Sequence, residues 1–167
     1  MGAGQPRNAA PVERRMGPLT LDGLPESALL LLDSAPIIYV LEKHRDFGAT
    51  FRPLFEAQDK GLVRFAVTTM TLAEVLAGAL RAGDEMLAAR YRATLKSWFL
   101  VELDAEIAES AARLRATLKL KLSDAVNAAS ALAIGADALV THDRDFSALT
   151  GLRLLGLAAT PSLPPPG

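Results

Sequence analysis

The sequence contains no cysteine and only two histidines, His44 and His142. The first absence excludes a disulfide framework, a cysteine-based zinc site and a thiol nucleophile. The second leaves a zinc site short of the several soft ligands it normally needs, and places no histidine to activate Ser34 as a nucleophile. No G-x-x-x-x-G-K-[ST] or G-x-G-x-x-G pattern occurs, so nothing supports nucleotide binding by a glycine loop. The longest aliphatic run, Ala28 to Leu32, is far short of the roughly 20 residues of a membrane span. Residues 1–27 also lack a signal peptide's apolar region of about 7–15 residues. These absences point to a cytoplasmic protein with no membrane partner. The formal net charge of −1 provides no global attraction to nucleic acid, so any such binding must use a local patch.

What is present fits one packed domain. The chain has 167 residues, half of them apolar and 22% charged, enough for a full hydrophobic core. Residues 1–27 carry Gly2, Gly4, Pro6, Pro11, Gly17, Pro18, Gly23 and Pro25, too many breakers for a regular element. They read as a flexible extension, with Met16 as a second candidate start. Residues 159–167 form a proline-rich tail with nothing to bury. The domain proper is expected over residues 28–158.

Within it strand and helix alternate. Leu29 to Leu32 reads as a strand buried on both faces, and Pro36 suits the first turn of the helix that follows. A helix from about Asp46 to Lys60 presents Phe47, Phe51, Leu54 and Phe55 on one face, and Gly61 closes it. Leu62 to Thr68 is a second strand. Helices over Thr71 to Arg81 and Asp84 to Ser97 break at Gly83, and Phe99 to Leu103 is a third strand. The next helix turns Ile107, Ala111, Leu114 and Leu118 inward and pairs Glu109 with Arg113 on its outside. A small-residue helix from about Ser123 to Gly135 leads to a fourth strand, Ala138 to Val140, and Leu152 to Leu157 makes a fifth. Helices separate nearly every strand, which predicts an α/β fold with a parallel sheet covered on both faces.

Functional groups in such a sheet gather at the carboxyl ends of strands and on the helix turns beside them. Four acids occupy such places: Asp33 after the first strand, Glu74 one turn into a helix, Asp124 at the start of the small-residue helix, and Asp143 after the fourth strand. Each has an ordinary reading. Asp33 can cap a helix, and Thr71 with Glu74 fits the T-x-x-E capping box. Asp124 complements the positive end of its helix, while Asp143 and Asp145 suit any polar loop. Taken together they mean more. Four carboxylates in one crevice repel each other and raise their own pKa values, a cost that a divalent cation relieves. All-oxygen ligands suit Mg²⁺ or Mn²⁺. Ser34 and Thr141 are placed to hydrogen-bond an acid or a bound water. Lys119, Lys121 and Arg144 flank the acids; most such cations are solvated helix faces, and a subset can hold phosphates.

The segments LLLDSAPIIYVLE, TLAEVLAG, LSDAVNAASAL and VTHDRDF, in this order, resemble the motifs of PIN-domain proteins, in particular the VapC-type toxin ribonucleases of toxin–antitoxin pairs. The likeness covers about residues 29–157. It implies a three-layer α/β/α sandwich, often homodimeric, with a central parallel sheet of about five strands. It also implies a Mg²⁺- or Mn²⁺-dependent endoribonuclease held inactive by a VapB-type antitoxin. Carried over by motif, Asp33 and Asp124 are the principal metal ligands, Glu74 completes the acidic pocket, and Asp143 is the fourth acid with Asp145 as its alternative. Ser34 and Thr141 support them. The long N-terminal extension departs from the pattern. Two other readings remain: a receiver-like phospho-acceptor domain, which lacks here its acidic pair and its late lysine, and a PIN-like domain that binds RNA or a partner without cutting.

Overall fold

The computed structural model describes residues 19–157. The first 18 residues and the proline-rich tail, for which a flexible extension and an unburied end are expected, lie outside the described residues. Chain order is β1 (Ala28–Leu32), α1 (Ser34–Leu41), α2 (Gly48–Asp59), β2 (Val63–Thr68), α3 (Thr69–Arg81), α4 (Glu85–Lys96), β3 (Phe99–Val101), α5 (Ala105–Leu118), α6 (Leu122–Ala133), β4 (Ala138–Val140), a 3-10 turn (Arg144–Ala148) and β5 (Leu154–Leu155). The five strands form one sheet in the order β3-β2-β1-β4-β5, and every pairing is parallel.

The strands divide their side chains between two cores with the period of two that a pleated strand imposes. Leu30 and Leu32 of β1, Phe65 and Val67 of β2, and Ala138 and Val140 of β4 face the α1–α4 layer. Leu29, Leu31, Ala66 and Leu139 face α5 and α6. On that second face the contacts are small: Ala125, Ala128, Ala129 and Ala131 of α6 are all buried. Small residues let α6 lie close to the sheet, and its first turn therefore sits over the strand ends.

Several boundaries differ from the sequence reading. Residues 19–27, expected to be flexible, instead lie along the core: Leu19, Leu21 and Leu24 pack on it, and Arg153 Nη2–H donates to the Asp22 carbonyl at 2.8 Å. Three leucines among the breakers supply apolar area enough to hold an irregular segment down. β5 is only two residues long because Gly156, at φ +85°, turns the chain away; a Cβ there would come within 2.5 Å of the Phe51 ring. The T-x-x-E capping box does not form. The chain passes from β2 straight into α3, so Thr68 is the cap and accepts from the Thr71 N–H at 3.0 Å. Among the described residues no helix is long and apolar enough to cross a membrane.

Candidate metal centre

The strand order places a switch point between β1 and β4, because β1 leads on to β2 on one side while β4 lies on the other. Ligands of open α/β sheets bind in the crevice outside the carboxyl ends at such a point. Here the two strand ends are tied together: the Asp33 N–H donates to the Val140 carbonyl at 2.9 Å. Asp33 follows β1, Thr141 to Asp143 follow β4, and the first turn of α6 brings Asp124 over both.

Asp33 is buried and both its carboxylate oxygens accept hydrogen bonds. Oδ1 accepts from the Ser34 N–H at 2.7 Å and from Asn127 Nδ2–H at 3.1 Å, while Oδ2 accepts from the Thr141 hydroxyl at 2.9 Å. It thus does cap α1, as the ordinary reading has it. Burial pushes its pKa up; the Thr141 hydroxyl and the Ser34 N–H pull it back, and repulsion from Glu74 and Asp143 adds to the rise. Asp124 is only 6% exposed, and its Oδ2 is buried with no hydrogen-bond partner. Burial first, then the charges of Asp33 and Asp143, push its carboxyl up to about 6; Lys121 opposes this, and Glu74 adds a little.

A carboxylate oxygen from each of Asp124, Asp143 and Asp145 lies within 4.8 Å of the others. Both candidates for the fourth acid, Asp143 and Asp145, thus lie beside Asp124. The cause is local: Asp143 Oδ1 accepts from the Asp145 N–H at 2.9 Å and caps the 3-10 turn, which folds the second acid back beside the first. The Asp143 N–H in turn donates to Thr141 Oγ1 at 3.1 Å. Thr141 is thus a hinge between Asp33 and the acidic loop. Glu74 is partly exposed and stands outside this trio, as does Asp33, yet each is close enough to repel Asp124. Ser34 contributes its backbone N–H.

Two further residues escaped the motif reading. Asn127 is fully buried, and besides donating to Asp33 it accepts at Oδ1 from the hydroxyls of Thr68 (2.7 Å) and Thr71 (3.2 Å). One signal was present: Asn127 lies three positions after Asp124, which puts both on one helix face. Thr68 left none, being the last residue of an apolar strand.

The arrangement fits a hard divalent cation. An unpartnered, buried carboxylate oxygen is costly, and three acids within reach of one point supply only oxygen, the donor set that Mg²⁺ and Mn²⁺ take. An open parallel sheet with carboxylates gathered at its switch point defines a class, the α/β proteins that work through an acidic pocket at their strand ends. The PIN-domain model matches residues 30–152, and the chain belongs to the PIN-domain family. Solved structures resemble it over nearly their whole length. A toxin–antitoxin complex from Klebsiella pneumoniae is 28% identical, with 74% of this chain and 94% of that chain covered and a TM-score of 0.58. DNA-bound VapBC from Salmonella typhimurium is 21% identical over 76% and 96%, with a TM-score of 0.62. The sarcin–ricin-loop-cleaving toxin VapC20 of Mycobacterium tuberculosis is 16% identical over 78% and 99%, with a TM-score of 0.63; these last two speak for the fold alone. No curated protein sequence matches the chain.

Proposed function

We propose that this protein is a divalent-metal-dependent endoribonuclease, the toxin of a VapBC-type pair. The observation that carries it is the buried Asp124, with an unpartnered Oδ2, in one cluster with the carboxylates of Asp143 and Asp145. The resemblance to the Klebsiella toxin–antitoxin complex supports the toxin role and a VapB-type antitoxin as partner. A cleaving activity on RNA is what the ordered acidic motifs of the sequence imply. A second copy of the chain and a cytoplasmic setting belong to the same reading.

Asp124, Asp143 and Asp145 would hold the cation, Mg²⁺ or Mn²⁺. When bound, such an ion neutralises charge on a phosphate undergoing in-line displacement and lowers the pKa of its water. Asp33 keeps the pocket negative and, through Thr141 and Asn127, locks the strand end and α6 in register. Its direct ligand role, expected from the motif, stands beside this positioning role: Oδ2 accepts a single hydrogen bond, from Thr141, and keeps a lone pair for the ion. Glu74, unneeded as a cap, would complete the acidic pocket and orient a bound water or a second ion. The receiver-like alternative fails on topology, because that fold orders its strands 2-1-3-4-5.

The test is direct. Purified protein should cut single-stranded RNA with Mg²⁺ or Mn²⁺ and stop with EDTA. Asp33→Asn, folded normally, should cleave at least tenfold more slowly; wild-type cleavage by that variant would remove Asp33 from the site.

A further inference from the structure

Beside the acids lies a cluster of rings that phosphodiester chemistry does not use. The Phe47 ring is 4.5 Å from His142 and 5.2 Å from His44, centroid to centroid, and Tyr39 lies within 5.6 Å of all three. His142 joins this cluster to the acidic loop, since it stands between Thr141 and Asp143 and its Nδ1 is 3.2 Å from the Tyr39 hydroxyl.

At the outer end His44 is exposed, yet its ring is held in place. The N–H groups of Asp46 and Phe47 both donate to its Nδ1, at 3.2 and 3.3 Å, and the ring stacks on Phe47 at 19°. With Nδ1 accepting, the neutral ring carries its proton on Nε2. Gly48 tightens the same corner: a Cβ there would meet the Tyr39 carbonyl oxygen at 3.0 Å. An exposed side chain ordinarily keeps its rotamer freedom; here that freedom is already gone before any ligand arrives. Exposed Lys43 and Arg45 adjoin His44 in the chain. A fixed π surface with cations adjoining it in the chain, next to a cluster of acids, suits an unpaired base and its phosphates.

We propose that the His44–Phe47 ring pair is a stacking subsite for an unpaired nucleobase of the RNA strand whose phosphodiester lies at the acids, with Lys43 and Arg45 beside the adjoining phosphates. This rests on the ribonuclease reading above. Its plain rival is that His44 serves only as the acceptor of a tight turn.

Two substitutions separate these roles. Asparagine offers an acceptor oxygen where Nδ1 now accepts but has no ring, whereas phenylalanine keeps a ring and loses the acceptor. His44→Asn should raise KM for single-stranded RNA about five- to tenfold with a smaller change in kcat, and His44→Phe should recover much of that loss. A scan of abasic sites through the RNA should find one position near the cut where wild type binds more weakly and His44→Asn loses nothing more. Wild-type KM in His44→Asn, or a scan of wild type with no position-specific loss, overturns the subsite while the ribonuclease reading stands. Failure of wild type to cut any RNA overturns both.

Discussion

Asp124 carries an electrostatic cost that shows on the pH scale. Its carboxyl is held at about 6 against an ordinary value of 3.8. Between those values the folded chain binds a proton that the unfolded chain has released, so stability falls as pH rises through the window and the full penalty is present above it. Removing the charge should therefore stabilise the metal-free protein at neutral pH. We expect Asp124→Asn to gain on the order of 1–3 kcal/mol at pH 8 in EDTA, with little gain near pH 4. Urea unfolding at the two pH values checks this; a variant weaker than wild type at pH 8 would show that the carboxylate is compensated after all. The same residue shows how far a motif reaches. Asp124 stood out because it is an acid in a run of small residues, whereas Asp145 entered only as the alternative to Asp143, because it is the 3-10 turn capped by Asp143 that brings the two alongside.

Among the elements α6 does the most to build the site. Its alanines were legible as a close-packing face, since small residues at helical spacing have one obvious use. Asn127 was not, because its partners Asp33 and Thr68 lie 94 and 59 positions away and local spacing cannot report them. A similar blindness produced the capping box at Thr71 and Glu74: the pattern was right, but the helix begins earlier, at Thr69, and Thr71 turns its hydroxyl to Asn127 instead. Asn127 thus ties α6 to both β1 and β2. Asn127→Ala should leave the Thr71 hydroxyl without its acceptor, Thr68 with only Thr71 Oγ1 to donate to, and Asp33 short of one donor, at a cost of about 2–3 kcal/mol. Thermal unfolding with far-UV detection measures it. A loss below about 0.5 kcal/mol would mean that the network rearranges freely and does not fix Asp33.

At the scale of the whole molecule, the alternation of strand and helix announced a parallel sheet covered on both faces. The order of strands could not be read locally, yet it is what puts the ends of β1 and β4 side by side and makes four scattered acids neighbours. Family membership and the likeness to toxin–antitoxin structures agree with that geometry. The central claim is that these neighbouring acids make one cation-dependent centre for cutting RNA. It is tested most directly by following hydrolysis of a single-stranded RNA by wild type and Asp124→Asn as Mg²⁺ or Mn²⁺ is titrated into EDTA-treated protein. Wild type should gain activity saturably with the ion, while the variant, folded and thermally more stable, should remain at least a hundredfold slower at every concentration, the scale set by losing an ion-supported step. Equal cleavage by the two proteins, or wild-type cleavage indifferent to the ion, would contradict the account.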